Sequence, residues 1–254
     1  MILQRRPAKP SQVFNPQKIT MSKLFARPFL LTCSAMLLLS TPAFAESPMQ
    51  VDDAGTLEPG GMKLEATWRK NAQQRGVEGV YGFSPLPSLE VGVALARDRD
   101  HASSPASRLS AVGVGFKWVP IQNKTGWSLG ASLDFGRTRL TSGDTPERST
   151  ERESAVNALA TWRAEEGQAM HLNLGSSRLK APGVRQTVGT WGVGYEHPLA
   201  SSLTLTAEVF GQEHSRPTRA LGLRYELAPG VKLSGALGRG DGHPLAQLGW
   251  AWEF

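Results

Sequence analysis

Hydrophobic and polar residues alternate with a period of two along most of the chain after residue 61. The clearest case is residues 89–95, where Leu89, Val91, Val93 and Leu95 alternate with small or charged residues. Because successive side chains of a β-strand point to opposite faces, this pattern predicts a strand with one apolar face. We predict an all-β fold of about twelve strands, most of them nine to twelve residues long: Met62–Lys70, Gln74–Phe83, Ser88–Arg97, Arg108–Val119, Trp127–Gly136, Glu153–Arg163, Gln168–Ser176, Gln186–His197, Ser202–Gly211, Thr218–Ala228, Val231–Arg239 and Leu245–Phe254.

The last predicted strand carries three aromatic residues on one face, namely Trp250, Trp252 and Phe254. A soluble β-sandwich would bury such a face in its core, whereas the closing strand of an outer-membrane β-barrel turns it toward lipid. By resemblance to that class, these three residues are the signal that the barrel-assembly machinery reads. The strand alone leaves both folds open.

The connections between the predicted strands alternate in length, which favours the barrel. Counting from a periplasmic N-terminus, one side has only short, mostly proline-containing turns, and the opposite side has mostly longer and more highly charged loops. Short periplasmic turns and long outer loops are typical of outer-membrane barrels, and an even number of strands returns both chain ends to the periplasm. The predicted turns are Ser84–Pro87, Pro120–Gly126, Ala164–Gly167, Pro198–Ser201 and Pro229–Gly230, and the loops are Asp98–Ser107, Arg137–Arg152, Ser177–Arg185 and Gln212–Pro217.

Aromatic residues of outward parity gather at the predicted periplasmic end. Aromatic side chains prefer the headgroup level of a membrane, whereas a soluble sandwich has no reason to collect them at one end. We therefore predict a single antiparallel transmembrane β-barrel over residues 62–254, in the outer membrane of a Gram-negative bacterium, after a periplasmic entry segment over residues 46–61. The aromatic set is Tyr81, Phe83, Phe116, Trp118, Trp127, Trp162, Tyr195, Tyr225, Trp250, Trp252 and Phe254.

The first 45 residues have the pattern of a leader that is removed. A basic stretch begins at Met21, an apolar run extends from Phe29 to Leu39, and the small residues Ala43 and Ala45 flank Phe44. This is a secretory signal peptide with cleavage between Ala45 and Glu46, and its apolar run is too short for a transmembrane helix. Translation starts at either Met1 or Met21. A lipoprotein anchored through Cys33 is an alternative, but Thr32 before the cysteine is a poor fit.

Cleavage changes the charge of the chain. The leader contains six of the 28 basic residues and no acidic residue, so 22 basic residues remain against 22 acidic ones. The isoelectric point of about 9.7 suggests an anionic partner only for the unprocessed chain, and we expect no nucleic-acid binding. With Cys33 in the leader, the mature chain has no cysteine and no disulfide.

Two stretches resemble a known family. One is Asp-Asp-Ala-Gly-Thr-Leu at residues 52–57 followed by Gly-Gly-Met-Lys-Leu-Glu at 60–65; the other is Tyr-Gly-Phe-Ser at 81–84 followed by Leu-Glu-Val-Gly-Val at 89–93. They resemble the opening of outer-membrane proteins encoded with meta-cleavage phenol-degradation pathways. The resemblance covers about the first fifth of the mature chain. It implies a channel or transporter for small, often apolar compounds, and it supplies no catalytic residue.

Inward parity places a set of charged residues in the lumen of the barrel. They are either the selectivity-determining groups of a polar pore or an internal salt-bridge network that fills a narrow barrel, because buried charges must be paired. Lys63 and His171 share this parity. The lumen-lining candidates are Glu65, Arg69, Glu78, Glu90, Lys117, Asp134, Arg163, Glu196, Glu208, Arg224, Glu226 and Lys232.

Other motifs carry weaker signals. His101 and Ser103 have the His-x-Ser spacing of some outer-membrane lipid hydrolases, but in a polar loop without a third orienting group. Arg239-Gly-Asp spells an adhesion tripeptide that glycine-rich turns also produce by chance. Asp52 and Asp53 are solvated turn residues or a cation site at the periplasmic mouth, with the former as the simpler interpretation. We expect no metal site and no cofactor.

The sequence therefore predicts an outer-membrane channel for small molecules, apolar or aromatic ones among them, with membrane lipid and the assembly machinery as its other partners. Two alternatives stay open: a lipid-modifying or proteolytic barrel enzyme, and a structural or adhesive barrel with a plugged lumen.

Overall fold

The structure is a computed structural model that describes residues 47–102, 104–143 and 148–254. Residues 62–254 form twelve strands joined in one closed barrel, in which each strand pairs antiparallel with its sequence neighbours and β12 closes the circle on β1. The prediction of a single twelve-stranded antiparallel barrel is confirmed. The strands are β1 Met62–Asn71, β2 Gln74–Leu86, β3 Leu89–Asp100, β4 Ser107–Ile121, β5 Gly126–Thr141, β6 Arg148–Arg163, β7 Ala169–Ala181, β8 Val184–Ala200, β9 Leu203–Gln212, β10 Thr218–Ala228, β11 Val231–Gly240 and β12 His243–Glu253.

The two faces of the wall have opposite character, and the apolar face is the outer one. On β3, Leu95 is 63% exposed, whereas the carboxylate-bearing Glu90 is 2% exposed. Large apolar side chains are exposed around the whole barrel, and most buried residues of the wall are small or polar. This inverted pattern is stable only where the outer face meets lipid rather than water. The described part of the chain has no helix of the length and apolarity that a membrane span requires.

We call the end of the barrel where β1 begins and β12 ends the near end, and the opposite end the far end. The closing pair runs from Lys63 opposite Glu253 to Asn71 opposite Leu245. Most of the predicted aromatic set is exposed at the near end, and the rings of Trp252 and Phe254 lie with their centroids 4.4 Å apart. Outward aromatics therefore form a girdle at the near end, as the sequence predicts.

The strands extend further than the alternation predicts. The predicted loop Arg137–Arg152 is mostly strand, because β5 and β6 have 16 residues each and pair from Arg137 opposite Arg152 to Thr141 opposite Arg148. The loop Ser177–Arg185 likewise shrinks to residues 182–183. Ladder hydrogen bonds require no apolar face, so a polar strand can continue beyond the point where the alternation of hydrophobicity stops.

Prolines mark the near ends of three strands rather than turns alone. Pro85, Pro120 and Pro198 lie within β2, β4 and β8, each at an irregularity in the pairing register. The predicted turns Ser84–Pro87, Pro120–Gly126 and Pro198–Ser201 are therefore partly strand. A bulge leaves one residue out of the ladder, so a proline without an N–H group fits there.

The Arg239-Gly-Asp tripeptide belongs to a tight hairpin turn at the far end. Gly240 pairs with His243, and the two residues between them, Asp241 and Gly242, have φ values of 49° and 81°. Two positive φ values identify a type I′ turn, which favours Asp-Gly for steric reasons. Turn geometry is thus a sufficient reason for the Asp241-Gly242 pair, and with it for the aspartate of the tripeptide.

Candidate functional site: a chain segment inside the lumen

Residues 47–57, which we call the lumenal segment, lie inside the barrel. The segment climbs from the near end, where the Leu57 N–H lies 3.2 Å from Glu90 Oε2, to the middle, where the Ser47 and Thr67 hydroxyls are 2.9 Å apart. Met49, Val51 and Ala54 of the segment are buried. We predicted a periplasmic entry segment over residues 46–61. The structure corrects this prediction for residues 47–57, which lie in the lumen, whereas residues 58–61 lie at the near-end rim.

Side chains of the barrel wall accept the backbone N–H groups of the lumenal segment. Glu208 Oε2 accepts two of them, from Gln50 at 2.7 Å and from Val51 at 3.0 Å. Asn173 accepts the Asp52 N–H at 2.7 Å, and Thr161 accepts the Ala54 N–H at 2.7 Å. Buried backbone donors need partners, and an irregular segment cannot supply its own. The wall thus provides acceptors at the positions that this one backbone path requires.

An ion cluster anchors the segment to β4 and β6. Lys117 Nζ lies 2.8 Å from Asp52 Oδ1 and 3.1 Å from Asp53 Oδ1, and Arg163 Nη2 lies 2.7 Å from Asp53 Oδ2. Lys117 is 1% exposed. The interpretation of Asp52 and Asp53 as solvated turn residues is therefore wrong: they are partners of lumenal bases. Two carboxylates against two bases leave the cluster neutral, as burial requires.

A second cluster holds the mid-barrel end of the segment. Arg224 donates from Nε to the Ser47 carbonyl at 3.0 Å and from Nη1 to Glu196 at 3.0 Å. His171 lies between Glu196, 3.7 Å from its Nε2, and Thr161, 3.0 Å from its Nδ1. Glu208 and Arg224 therefore each bind the segment, and Arg224 also pairs with Glu196.

Two further groups of lumenal candidates, around Lys63 and around Arg69, form ion pairs along the wall. Lys63 Nζ lies 3.2 Å from Glu90 and 3.8 Å from Glu65. Arg69 Nη2 lies 3.2 Å from Glu78, and its Nε lies 3.7 Å from Asp98. Charges of opposite sign therefore compensate each other across neighbouring strands.

Three further candidates differ in position. Asp134 is 2% exposed and accepts a hydrogen bond from Ser132 at 3.2 Å. Lys232 lies at the near-end rim, 3.3 Å from Glu253, and Glu226 is exposed at the same rim. The last two therefore lie at the mouth of the barrel rather than along its length.

Glycines of the wall make room for the segment. A Cβ atom on Gly192 would lie 2.8 Å from Val51 Cγ2, and one on Gly222 would lie 2.8 Å from Pro48 Cγ. A Cβ on Gly249 would lie 2.6 Å from Ser47 Cβ. Such distances are too short for real contacts, so the segment occupies space that only the missing side chains leave free.

The far half of the lumen is open above the segment. A cavity of about 530 Å³ is lined by residues from both the far-end turns and the strands. A smaller cavity of about 30 Å³ lies deeper, against Gln50, Arg69 and Glu208. The lumen thus consists of an open far vestibule above a filled near half. Polar lining residues of the vestibule are Asn71, Gln73, Gln186, Gln212, Glu213, His214, Arg216 and Asp241, with Phe210 and Leu245 as apolar contacts.

The histidine motifs do not assemble into a catalytic or metal site in the described part of the chain. His214 and His243 both line the far vestibule, but no group of three or more His, Cys, Asp or Glu residues there could hold a metal ion. His101 is exposed at the far end, and Ser103 lies outside the described residues. The predicted leader, with Cys33 and Ala45, and the residue after it, Glu46, also lie outside them.

Sequence reasoning missed the segment as a functional element, and with it the roles of Thr161 and Asn173. Both residues have inward parity, which the alternation shows, but uncharged side chains attract no attention in a search for charged groups. A polar acceptor at an inward position near the middle of a strand is the signal that would have found them.

Comparison with known proteins supports the fold. A family model described as "Uncharacterised conserved protein UCP029691" matches residues 34–240. A search of curated proteins finds no match.

Solved structures of similar shape include a porin and an outer membrane channel. A "KdgM porin" superposes with a TM-score of 0.58 at 7% identity, over 76% of this chain and 99% of the porin. The translocator domain of the autotransporter NalP from Neisseria meningitidis has a TM-score of 0.58 at 10% identity, over 89% and 95%. The COG4313 outer membrane channel from Pseudomonas putida F1 has a TM-score of 0.57 at 10% identity, over 80% and 98%. At these identities the likeness shows the barrel fold alone.

Proposed function

We propose that this chain, which belongs to the family described as Uncharacterised conserved protein UCP029691, is a channel in the outer membrane of a Gram-negative bacterium. Small molecules pass through its barrel when the lumenal segment is displaced. The near end faces the periplasm, and the aromatic face of β12 is the signal read by the assembly machinery. The porin and the channel among the structures of similar fold support this proposal.

The proposal rests on one observation, namely the polar character of the contacts that hold the segment to the wall. The segment has some apolar contacts, where Ala54 packs with Val119 and Leu159 and where Val51 lies against Gly192. Its backbone and its charged side chains are held by hydrogen bonds and ion pairs. Water can replace such contacts, whereas it cannot replace a hydrophobic core. Displacement of residues 47–57 would therefore leave a lumen that hydrates readily.

The far vestibule supports a proposal about the class of solute. Its volume of about 530 Å³ admits a small molecule, and amide and charged groups lie beside Phe210 and Leu245 in its lining. We therefore propose small polar or amphipathic solutes. Preference for apolar or aromatic compounds, which the family resemblance implies, stays a prediction.

The second candidate is a barrel whose lumen is permanently plugged. The two ion clusters and the matched backbone acceptors favour it, because a mobile gate needs fewer contacts. The two candidates differ in one property, namely whether the segment leaves its place in the folded protein.

A disulfide lock tests the difference. The Ser47 and Thr67 hydroxyl oxygens are 2.9 Å apart, so Ser47→Cys with Thr67→Cys should place two sulfurs within bonding reach. In planar bilayers, we expect openings of the unmodified barrel to disappear in the oxidised double variant and to return with a reductant. The single variant Ser47→Cys is the matched control and should conduct under both conditions.

A deletion of residues 47–57 completes the test. We expect a folded barrel with a larger and steadier conductance than the intact chain. If the intact and locked proteins are both silent and only the deletion conducts, the segment is a permanent plug. A folded deletion variant that does not conduct would refute the channel.

A further inference from the structure

Charge is distributed very unevenly between the two faces of the barrel wall. In the described part of the chain, every acidic residue within a strand has inward parity. The basic residues of outward parity are all exposed and all lie toward the far end. They form what we call the basic belt: Lys70, Arg75, Arg97, Arg99, Arg108, Arg137, Arg139, Arg148, Arg152, Arg178, Lys180, Arg185, Arg219 and Arg239.

The pairing registers place members of the belt directly beside one another. Arg99 of β3 is opposite Arg75 of β2 on one side and opposite Arg108 of β4 on the other. Further round the barrel, Arg152 of β6 is opposite Arg137 of β5 and also opposite Lys180 of β7. Like charges directly opposite one another on the same face destabilise a sheet. Such an arrangement therefore needs counter-charge from outside the chain.

Within the part of the chain that the structure describes, no acidic residue supplies that counter-charge. None of the ion pairs between described residues includes a member of the belt, since the paired bases all face the lumen or its rim. The outward acids that would be needed are absent from the described strands.

A groove on the outer surface shows where an anion fits. It has a volume of about 410 Å³, and Arg75, Arg97, Arg99 and Arg108 line it together with Trp68. The one acidic residue in its lining, Asp98, has a buried carboxylate that lies 3.7 Å from Arg69 Nε on the lumenal side. The groove therefore presents four guanidinium groups to the outside of the barrel.

The height of the belt identifies the kind of partner. Along each strand, the belt begins where the band of exposed apolar side chains ends. Trp68, an aromatic residue typical of the membrane interface, is the next outward residue of β1 toward the near end from Lys70. Most members are arginine, whose planar fork matches the oxygen geometry of phosphate. We propose that the basic belt binds anionic lipid headgroups that carry phosphate, in the leaflet at the far end. On the proposed orientation, which this inference shares with the channel, that is the outer leaflet.

Lipid binding in micelles tests the proposal independently of conduction. The probe is lipid A with two phosphates, in micelles of a zwitterionic detergent, and its binding to the folded barrel is titrated. We expect the quadruple variant R75Q/R97Q/R99Q/R108Q to bind at least tenfold more weakly, since each basic group near an anionic surface contributes about fivefold. The matched variant with four Arg→Lys changes keeps the charge and should retain most of the binding.

Three further measurements decide between outcomes. Binding by the intact protein should weaken as salt rises, and phosphatidylcholine without added anionic lipid should not bind measurably at the belt. If the quadruple variant does not fold, the double variants R75Q/R99Q and R97Q/R108Q take its place. Unchanged lipid A binding by folded variants would overturn the proposal, and so would inorganic phosphate that competes at equal concentration, because the partner would then be a soluble anion. Either failure leaves the conductance tests of the channel unaffected.

Discussion

Replacement of Lys117 by methionine should release the lumenal segment while leaving the barrel intact. Lys117 Nζ is the charged partner of Asp52 at 2.8 Å, and the side chains are only 2% and 8% exposed. Asp53 is 36% exposed and keeps its ion pair with Arg163 at 2.7 Å. The loss of its ion pair with Lys117 therefore contributes little. The cost is therefore that of leaving the Asp52 carboxylate buried without its partner, which is about 3–5 kcal/mol.

That cost applies only to the seated state of the segment. Once displaced, Asp52 is hydrated, and the strand ladders of the barrel do not depend on Lys117. At about 1.4 kcal/mol per tenfold change, the ratio of displaced to seated segment should rise by roughly two to three and a half orders of magnitude. In planar bilayers this appears as a longer fraction of time in the open state.

Two variants control for other effects of the substitution. Lys124→Met removes a lysine from an exposed near-end turn and should leave the open fraction unchanged. The double variant K117M/D52N removes both charges and should return most of the way to the closed state. Closed times equal to those of the intact protein in K117M would refute the reasoning, and so would loss of the folded, heat-modifiable form on gels.

Three other predictions concern processing, the wall and the fit of the segment. Intact-mass measurement should show that the mature protein begins at Glu46, and a mass that includes the leader would contradict this. Val93→Arg on the outer face should destabilise the folded barrel in lipid by about 2–4 kcal/mol, whereas Thr187→Arg at the level of the basic belt should cost about 0–1 kcal/mol in the same unfolding titration. Gly192→Val should raise conductance by displacing the segment, whereas Gly136→Val, at an inward position with open space, should not. Equal conductance of the two variants would show that the segment does not depend on the space at Gly192.

The sequence by itself determined the number of strands, the closed architecture and the face to which each strand residue points. A strand has two faces, so the alternation of residues such as Glu90 and Leu95 assigns each to the lumen or to lipid without knowledge of any partner. The aromatic girdle follows from the same parity once strand direction alternates. Strand ends were predicted less well, since polar hairpins such as β5–β6 continue the ladder where the pattern stops.

Only the tertiary structure decided which lumenal groups meet. Which strands face each other across the lumen depends on strand tilt and barrel closure, and parity alone does not show which inward groups of neighbouring strands come together. The register places Arg224 opposite Thr204 and Glu208 opposite Ala220. The lumenal segment has no periodic pattern, and its path is set by scattered acceptors, Thr161, Asn173 and Glu208, that come together only when the barrel closes. The fold can be predicted from local alternation because the lipid boundary acts on every residue separately. The contents of the lumen depend instead on contacts between residues up to 177 positions apart.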